Sequence, residues 1–197
     1  RTGGEIYLGI VGPVRTGKST FIKRFMELVV IPEMSDDNEK VRTIDELPQS
    51  ADGKTIMTTE PKFIPKEAAV IHFSNQETGK IRLIDCVGYL VPEAVGAIEE
   101  EKERMVKTPW SEEEIPFSKA AEIGTSKVIR EHSNLGLIIT TDGSFGDIAA
   151  ANFEEALQKT VMECEKAGKP FLILVNTSRP DSQETIQLKK RLEAQYG

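Results

Sequence analysis

Between the apolar run Ile6-Tyr7-Leu8-Gly9-Ile10-Val11 and the stretch Thr20-Phe21-Ile22-Lys23-Arg24-Phe25-Met26 lies Gly12-Pro13-Val14-Arg15-Thr16-Gly17-Lys18-Ser19. The string fits G-x-x-x-x-G-K-[ST], in which backbone N–H groups of a tight loop, backed by the dipole of the following helix, wrap a phosphate. Such a loop works where a strand feeds it and a helix leaves it, so the motif commits the chain to an α/β architecture. Gly12 and Gly17 supply backbone conformations closed to other residues, Lys18 the charge for the terminal phosphates, and Ser19 a hydroxyl for Mg²⁺. The expected nucleotide contacts are Gly12, Val14, Arg15, Thr16, Gly17, Lys18, Ser19 and Thr20. A plain strand–turn–helix with incidental turn and cap residues is the competing reading, and the flanking elements favour the phosphate loop.

The rest of the chain alternates in a way that suits this start. A helix is expected over residues 19–30, ended by Pro32, with Phe21, Phe25, Met26 and Val29 on its apolar side. Residues 33–65 have little periodicity beyond a short helix over 39–47, and a connection that long is commonly functional. Strands over 68–74 and 80–85 read as a hairpin around Asn75-Gln76-Glu77-Thr78-Gly79. Residues 86–116 read as irregular and charged. Helices over 117–132, 152–167 and 182–196 then alternate with strands over 135–141 and 171–175. The expectation is a P-loop NTPase fold: a three-layer α/β/α sandwich whose mostly parallel sheet carries one antiparallel hairpin strand. Residues 1–197 read as one nucleotide-binding domain, a fragment of a longer protein, with a final edge strand expected after Gly197.

Nucleotide chemistry requires an acid near Mg²⁺ and a sensor of the terminal phosphate. Asp85 follows four apolar-rich strand residues, which puts its carboxylate at the C-terminal end of a strand, and Gly88 completes Asp85-Cys86-Val87-Gly88 as a D-x-x-G. Ser19, Asp85 and Thr58 are the expected metal ligands. A Thr hydroxyl can coordinate Mg²⁺ while its N–H meets the terminal phosphate, and in Lys54-Thr55-Ile56-Met57-Thr58-Thr59-Glu60-Pro61 the candidates are Thr58 and Thr59, with Thr55 behind them. The expected catalytic set is Lys18, Asp85, Thr58 and Thr59, with Gly88 and Asn176 among the nucleotide contacts.

Gly12 to Ser19, Thr58-Thr59 and Asp85 to Gly88 together resemble the translation-factor-related P-loop GTPases over nearly the whole chain. Two departures carry information. Where that class reads guanine with Asn-Lys-x-Asp, this chain has Asn176-Thr177-Ser178-Arg179; a cation cannot accept hydrogen bonds from the N1 and N2 donors of guanine, so adenine is expected. Where a water-orienting Gln is common, Tyr89 stands, so turnover is expected to be slow in the isolated domain, with an Arg from a neighbouring subunit or Arg15 in reserve.

Further strings narrow the class: Gly9 to Lys23, Asp45-Glu46-Leu47-Pro48-Gln49-Ser50, Gly53 to Phe63 and Thr140-Thr141-Asp142-Gly143 look like the N-terminal ATPase domain of the stage IV sporulation protein A family. That resemblance implies ATP and Mg²⁺ as ligands, and hydrolysis that drives self-assembly, as a homopolymer, into the basement layer of the spore coat. It also implies a place in the mother-cell cytoplasm at the forespore surface, tethered by a small amphipathic membrane-anchoring peptide and contacting other coat proteins through regions outside this fragment. A GTPase switch with atypical base recognition and a non-hydrolysing nucleotide-binding module stay open as alternatives.

Composition adds exclusions. A net charge of −7 with no basic stripe argues against nucleic acid as a partner. Cys86 and Cys164 are too few for a disulfide framework and fit a reducing compartment. No apolar run is long enough to span a membrane. His72, His132, Cys86 and Trp110 read as structural, and Asp142 as a turn residue with a lesser claim on Mg²⁺ or the base.

Overall fold

The computed structural model describes residues 5–48, 59–72, 77–94, 98–99 and 102–197. The apolar run before the phosphate loop forms β1 (Glu5–Val11), and the loop opens into α1 (Lys18–Phe25). The helical path continues past α1 through a wide π turn at Met26–Val30 and a 3₁₀ turn at Ile31–Glu33. The reason lies in the spacing of the core residues. Ile22, Met26 and Val30 are all fully buried, and steps of four drift by ~40° each on an ideal α-helix. The wider turn keeps that stripe against the sheet. Val29, expected on the apolar side, is instead 46% exposed, and Phe21 and Phe25 stack on each other at 5.6 Å.

The long connection holds the short helix expected in it. This is α2 (Asp37–Glu46), which starts where the Asp36 carboxylate accepts the N–H groups of Asn38 and Glu39 at 2.8 and 3.0 Å. The hairpin is β2 (Lys62–His72) and β3 (Thr78–Asp85), antiparallel, with β2 starting well before the expected position 68. A register shift between Ile64 and Ala69 brackets Pro65, which has no N–H for the ladder, and the nearby Lys66 N–H is taken by Glu46 Oε2 at 2.8 Å. Residues 73–76, the end of the first expected strand and the start of the expected turn, lie outside the described residues, and Thr78 and Gly79 of that turn belong to β3.

The segment 86–116 is more ordered than its charge pattern implied. It contains β4 (Ile98–Glu99) paired with β5 (Lys102–Glu103), and β6 (Met105–Thr108) paired with β7 (Ser111–Pro116). The second ladder carries three successive exposed Glu residues, Glu112 to Glu114, and lies against α3 (Phe117–Lys127). A π turn at Val128–His132 follows, then β8 (Leu135–Thr141), α4 (Glu154–Lys166), β9 (Phe171–Asn176) and α5 (Gln183–Tyr196).

The five-stranded sheet has the order β2-β3-β1-β8-β9, with β2 antiparallel at one edge and every other pair parallel. Alternation along the strands sends Leu8, Ile10, Leu83, Leu137 and Ile139 to one face, where Ile22, Met26 and Val30 cover them. Val11, Ile84 and Ile138 turn to the other, against Val128, Ile129, Leu157, Val161 and Leu192. Two cores on opposite faces of one sheet make the three-layer sandwich. All four parallel strands end at the same edge, so the loop after β1, Asp85, the turn after β8 and Asn176 converge where open α/β sheets bind ligands. No helix among the described residues is long and apolar enough to cross a membrane.

Candidate functional site

The phosphate loop is built so that its lysine has one place to go. Lys18 is 5% exposed, and its Nζ donates to the Pro13 carbonyl at 2.5 Å, which also accepts from Thr16 Oγ1 at 3.0 Å. Burial pushes the Lys18 ammonium below its ordinary value, with Asp85 and Cys86 opposing that shift. A dianionic phosphate would restore its charge. Gly17 caps α1 with φ 91, and a Cβ there would sit 2.4 Å from Asn176 Nδ2. That amide donates to the Thr16 carbonyl at 3.0 Å, so the end of β9 is tied directly to the loop. Arg15 and Thr20 are exposed at the mouth, and Arg15 itself takes a left-handed conformation at φ 60. The N–H of Val14 is turned away from the loop interior and donates to Tyr89.

Asp85 ends β3 beside the start of α1. Its Oδ2 accepts from Ser19 Oγ at 2.9 Å, while Oδ1 is buried without a partner. Burial pushes the Asp85 carboxyl up, against the lowering effects of Ser19 and Lys18. An orphaned buried carboxylate oxygen next to a hydroxyl is the donor set of a hard divalent cation. The residues therefore fit Mg²⁺. Among the described residues no three acidic, His or Cys side chains gather around one point, so the remaining ligands would be phosphate oxygens and water, the usual arrangement for Mg²⁺ on a nucleotide.

Gly88 crosses immediately over the phosphate loop. Its φ is 93, and a Cβ there would lie 2.1 Å from the Gly12 carbonyl oxygen and 2.8 Å from Lys18 Nζ. Thr59 is buried, and its carbonyl oxygen lies 2.6 Å from where a Cβ on Gly124 of α3 would be. Thr58 and Thr55 lie outside the described residues, as do the other residues of that string from 53 to 57. Cys86 is buried with its thiol pushed up to about 11 by burial, and Sγ donates to the Ile10 carbonyl at 3.5 Å, which is a packing role. His132 likewise packs edge-on against Phe63 at 5.4 Å.

Asp142 is the residue that the sequence reading undervalued. Its Oδ2 accepts from Thr177 Oγ1 at 2.6 Å and lies 3.0 Å from Thr185 Oγ1, and its Oδ1 accepts the Ser144 N–H at 2.9 Å. Burial pushes its carboxyl up, yet the donors from Ser144, Thr177 and Thr185 together outweigh it and hold the group at about 2. Ser144 then bridges to Ser178, accepting its N–H at 2.8 Å and its Oγ–H at 3.1 Å. The loops after β8 and β9 are thus bound into one unit. Thr177, at the position of the guanine reader's lysine, spends its hydroxyl on Asp142. The signal available in the sequence was an Asp-Gly at the C-terminal end of a parallel strand, facing a Thr-rich loop on the neighbouring one.

Sheet order, strand direction and the loop after β1 define a P-loop NTPase domain. The description of the matching family is narrower: the family model for the stage IV sporulation protein A ATPase domain covers residues 1–197. The chain belongs to that family. It is 56% identical over 196 residues to stage IV sporulation protein A of Bacillus subtilis (strain 168) and 55% identical over 196 residues to that of Bacillus anthracis. Against the protein of the same name from Clostridioides difficile (strain 630) it is 50% identical over 196 residues. Each alignment takes in 100% of this chain and 40% of the relative, so the chain spans less than half the length of the curated proteins it matches.

Proposed function

We propose that this domain binds ATP with Mg²⁺ and hydrolyses it, and that in the longer protein hydrolysis drives self-assembly into the basement layer of the spore coat. The observation that carries the first part is the Ser19–Asp85 pair beside the buried Lys18, with one Asp85 oxygen unpartnered. Mg²⁺ would be held by Ser19 and Asp85, with Thr58 or Thr59 completing its shell, and would neutralise charge developing on the terminal phosphates. Lys18 binds those phosphates, and the N–H groups from Arg15 to Thr20 receive their oxygens. Thr59 reports the terminal phosphate from its seat against α3.

ATP is favoured over GTP because Arg179 cannot accept from guanine and the Asp142 carboxylate is already engaged by hydroxyl and amide donors of the chain itself. The family's description as an ATPase domain supports the same reading. The assembly part rests on family membership: a homopolymer at the forespore surface in the mother-cell cytoplasm, tethered by a small amphipathic peptide and joined by other coat proteins. The test is equilibrium binding of a fluorescent ATP analogue to the full-length protein with Mg²⁺, competed by ATP or GTP. Competition by ATP at least about tenfold better than by GTP, and loss of binding in Lys18→Ala, is the expected result. Equal competition by GTP would overturn the base assignment.

A further inference from the structure

Tyr89 occupies the position after the D-x-x-G, and nothing in the chemistry above uses it. Its main chain adds to the phosphate loop as a single-residue strand. Tyr89 N–H donates to the Gly12 carbonyl at 3.2 Å, Val14 N–H donates to the Tyr89 carbonyl at 2.9 Å, and Pro13 pairs with it in a parallel bridge. The residue between those two bonds is Pro13, whose carbonyl receives both Lys18 Nζ and Thr16 Oγ1. Fixing Gly12 and Val14 therefore fixes the oxygen on which the lysine rests.

The side chain points elsewhere. Tyr89 is 4% exposed and packs with Val14, Val91, Ile148, Phe153 and Ala156, a cluster separate from both sheet cores. Lys159 of α4 lies over its ring at 5.0 Å and also bonds Glu122 of α3, so the ring is covered from α4 by a lysine that α3 holds in place. Burial pushes the phenol up, with Glu163 and Glu122 adding to the shift, so it stays protonated and is no base.

We propose that Tyr89 is a positioning residue: its ring, packed against α4 under a lysine braced from α3, holds the main-chain clamp that sets Pro13 and, through the Pro13 carbonyl, the place of Lys18. It acts on ATP through the loop and orients no water. This extends the proposed ATPase reading, but the clamp has a signature that needs no nucleotide.

The test uses full-length protein carrying Tyr89→Phe, Tyr89→Ala or, as a core control on the far side of α4, Val161→Ala. Hydrogen exchange over residues 12–19 without nucleotide is read first, then ATP affinity with Mg²⁺. Tyr89→Phe keeps the ring, so exchange stays slow and ATP affinity and turnover stay within about twofold of the parent. Tyr89→Ala exposes the Val14 amide to exchange and weakens ATP binding by roughly tenfold, while Val161→Ala lowers thermal stability and leaves both readouts unchanged. The proposal is overturned if Tyr89→Phe loses turnover, which would make the hydroxyl part of the chemistry. It is equally overturned if Tyr89→Ala keeps the loop protected, or if Val161→Ala weakens ATP binding as much. Loss of protection in Tyr89→Ala together with no ATP binding by the parent would uphold the clamp and sink the proposed function.

Discussion

Three charged side chains decide how this site is built, and each sits away from its ordinary titration. Lys18 and Asp85 are both penalised by burial, the one pushed down and the other up, so without ligand each charge is costly. A raised carboxyl is a cost at neutral pH that lessens as pH falls through the folded value, and a bound cation removes that cost in the same way. Asp142 is the opposite case. Its carboxyl is lowered from 3.8 to about 2, so the stability it contributes is fully present above the unfolded value and is lost as pH falls from about 4 towards 2. Asp142→Asn is expected to cost about 1 kcal/mol near pH 7, after allowance for solvent screening, with the difference from the parent cut to about a third near pH 2.5 and gone only at lower pH still. Urea unfolding at the two pH values measures this. A cost that is the same at both would show that the charge of Asp142 is not what the three hydroxyl-bearing neighbours respond to. Arg15, which the sequence offered as a nucleotide contact and as an arginine in reserve for turnover, takes a left-handed conformation that a glycine would occupy without strain.

Among the elements, those carrying strong periodicity could be read directly from residues. β1, β8 and β9 stand within a residue or two of their expected bounds, because apolar runs flanked by turn residues leave little choice. The hairpin β6–β7 was not legible, since β6 is only four residues long and β7 hides its pairing in the run Glu112 to Glu114. The π turn after α1 also escaped: the apolar set 22, 26, 30 looks like an ordinary helix stripe and declares the wider turn only once the sheet face is known. The chemistry of the site was legible in Gly12 to Ser19 and Asp85 to Gly88, where motif and strand end coincide. Gly124 was not, although a glycine in the interior of a helix costs about 1 kcal/mol relative to Ala and so asks for a reason. The reason is the Thr59 carbonyl packed against it. In Gly124→Ala the propensity gain of about 1 kcal/mol opposes a clash costing about 1–3 kcal/mol, so unfolding stability should change little. ATP turnover should nonetheless fall by roughly tenfold at unchanged ATP affinity, because the loop bearing Thr59 must move. Single-turnover kinetics alongside thermal unfolding separates the two. Unchanged turnover would remove Thr59 from the site.

At the scale of the molecule, one sheet with a core on each face brings four strand ends to a common edge, where Asp85 and Asn176 end their strands and the phosphate loop leads into α1. On the proposed reading the edge divides into a phosphate half, where Lys18, Ser19 and Asp85 meet, and a base half, where Asp142 accepts from Thr177 and Ser144 and Ser144 in turn accepts from Ser178. Asn176 joins the halves through Thr16. On that reading the first half needs only phosphate and metal, while the second has Asp142 engaged by three donors of the chain itself and a cation at Arg179. The measurement that bears most directly on this is single-turnover hydrolysis of ATP and GTP by the full-length protein with Mg²⁺, beside Asp85→Asn. Hydrolysis of ATP at least about tenfold faster than GTP, falling by roughly 10²-fold or more in Asp85→Asn, is the predicted result. GTP turned over as fast as ATP, or Asp85→Asn as active as the parent, would contradict it.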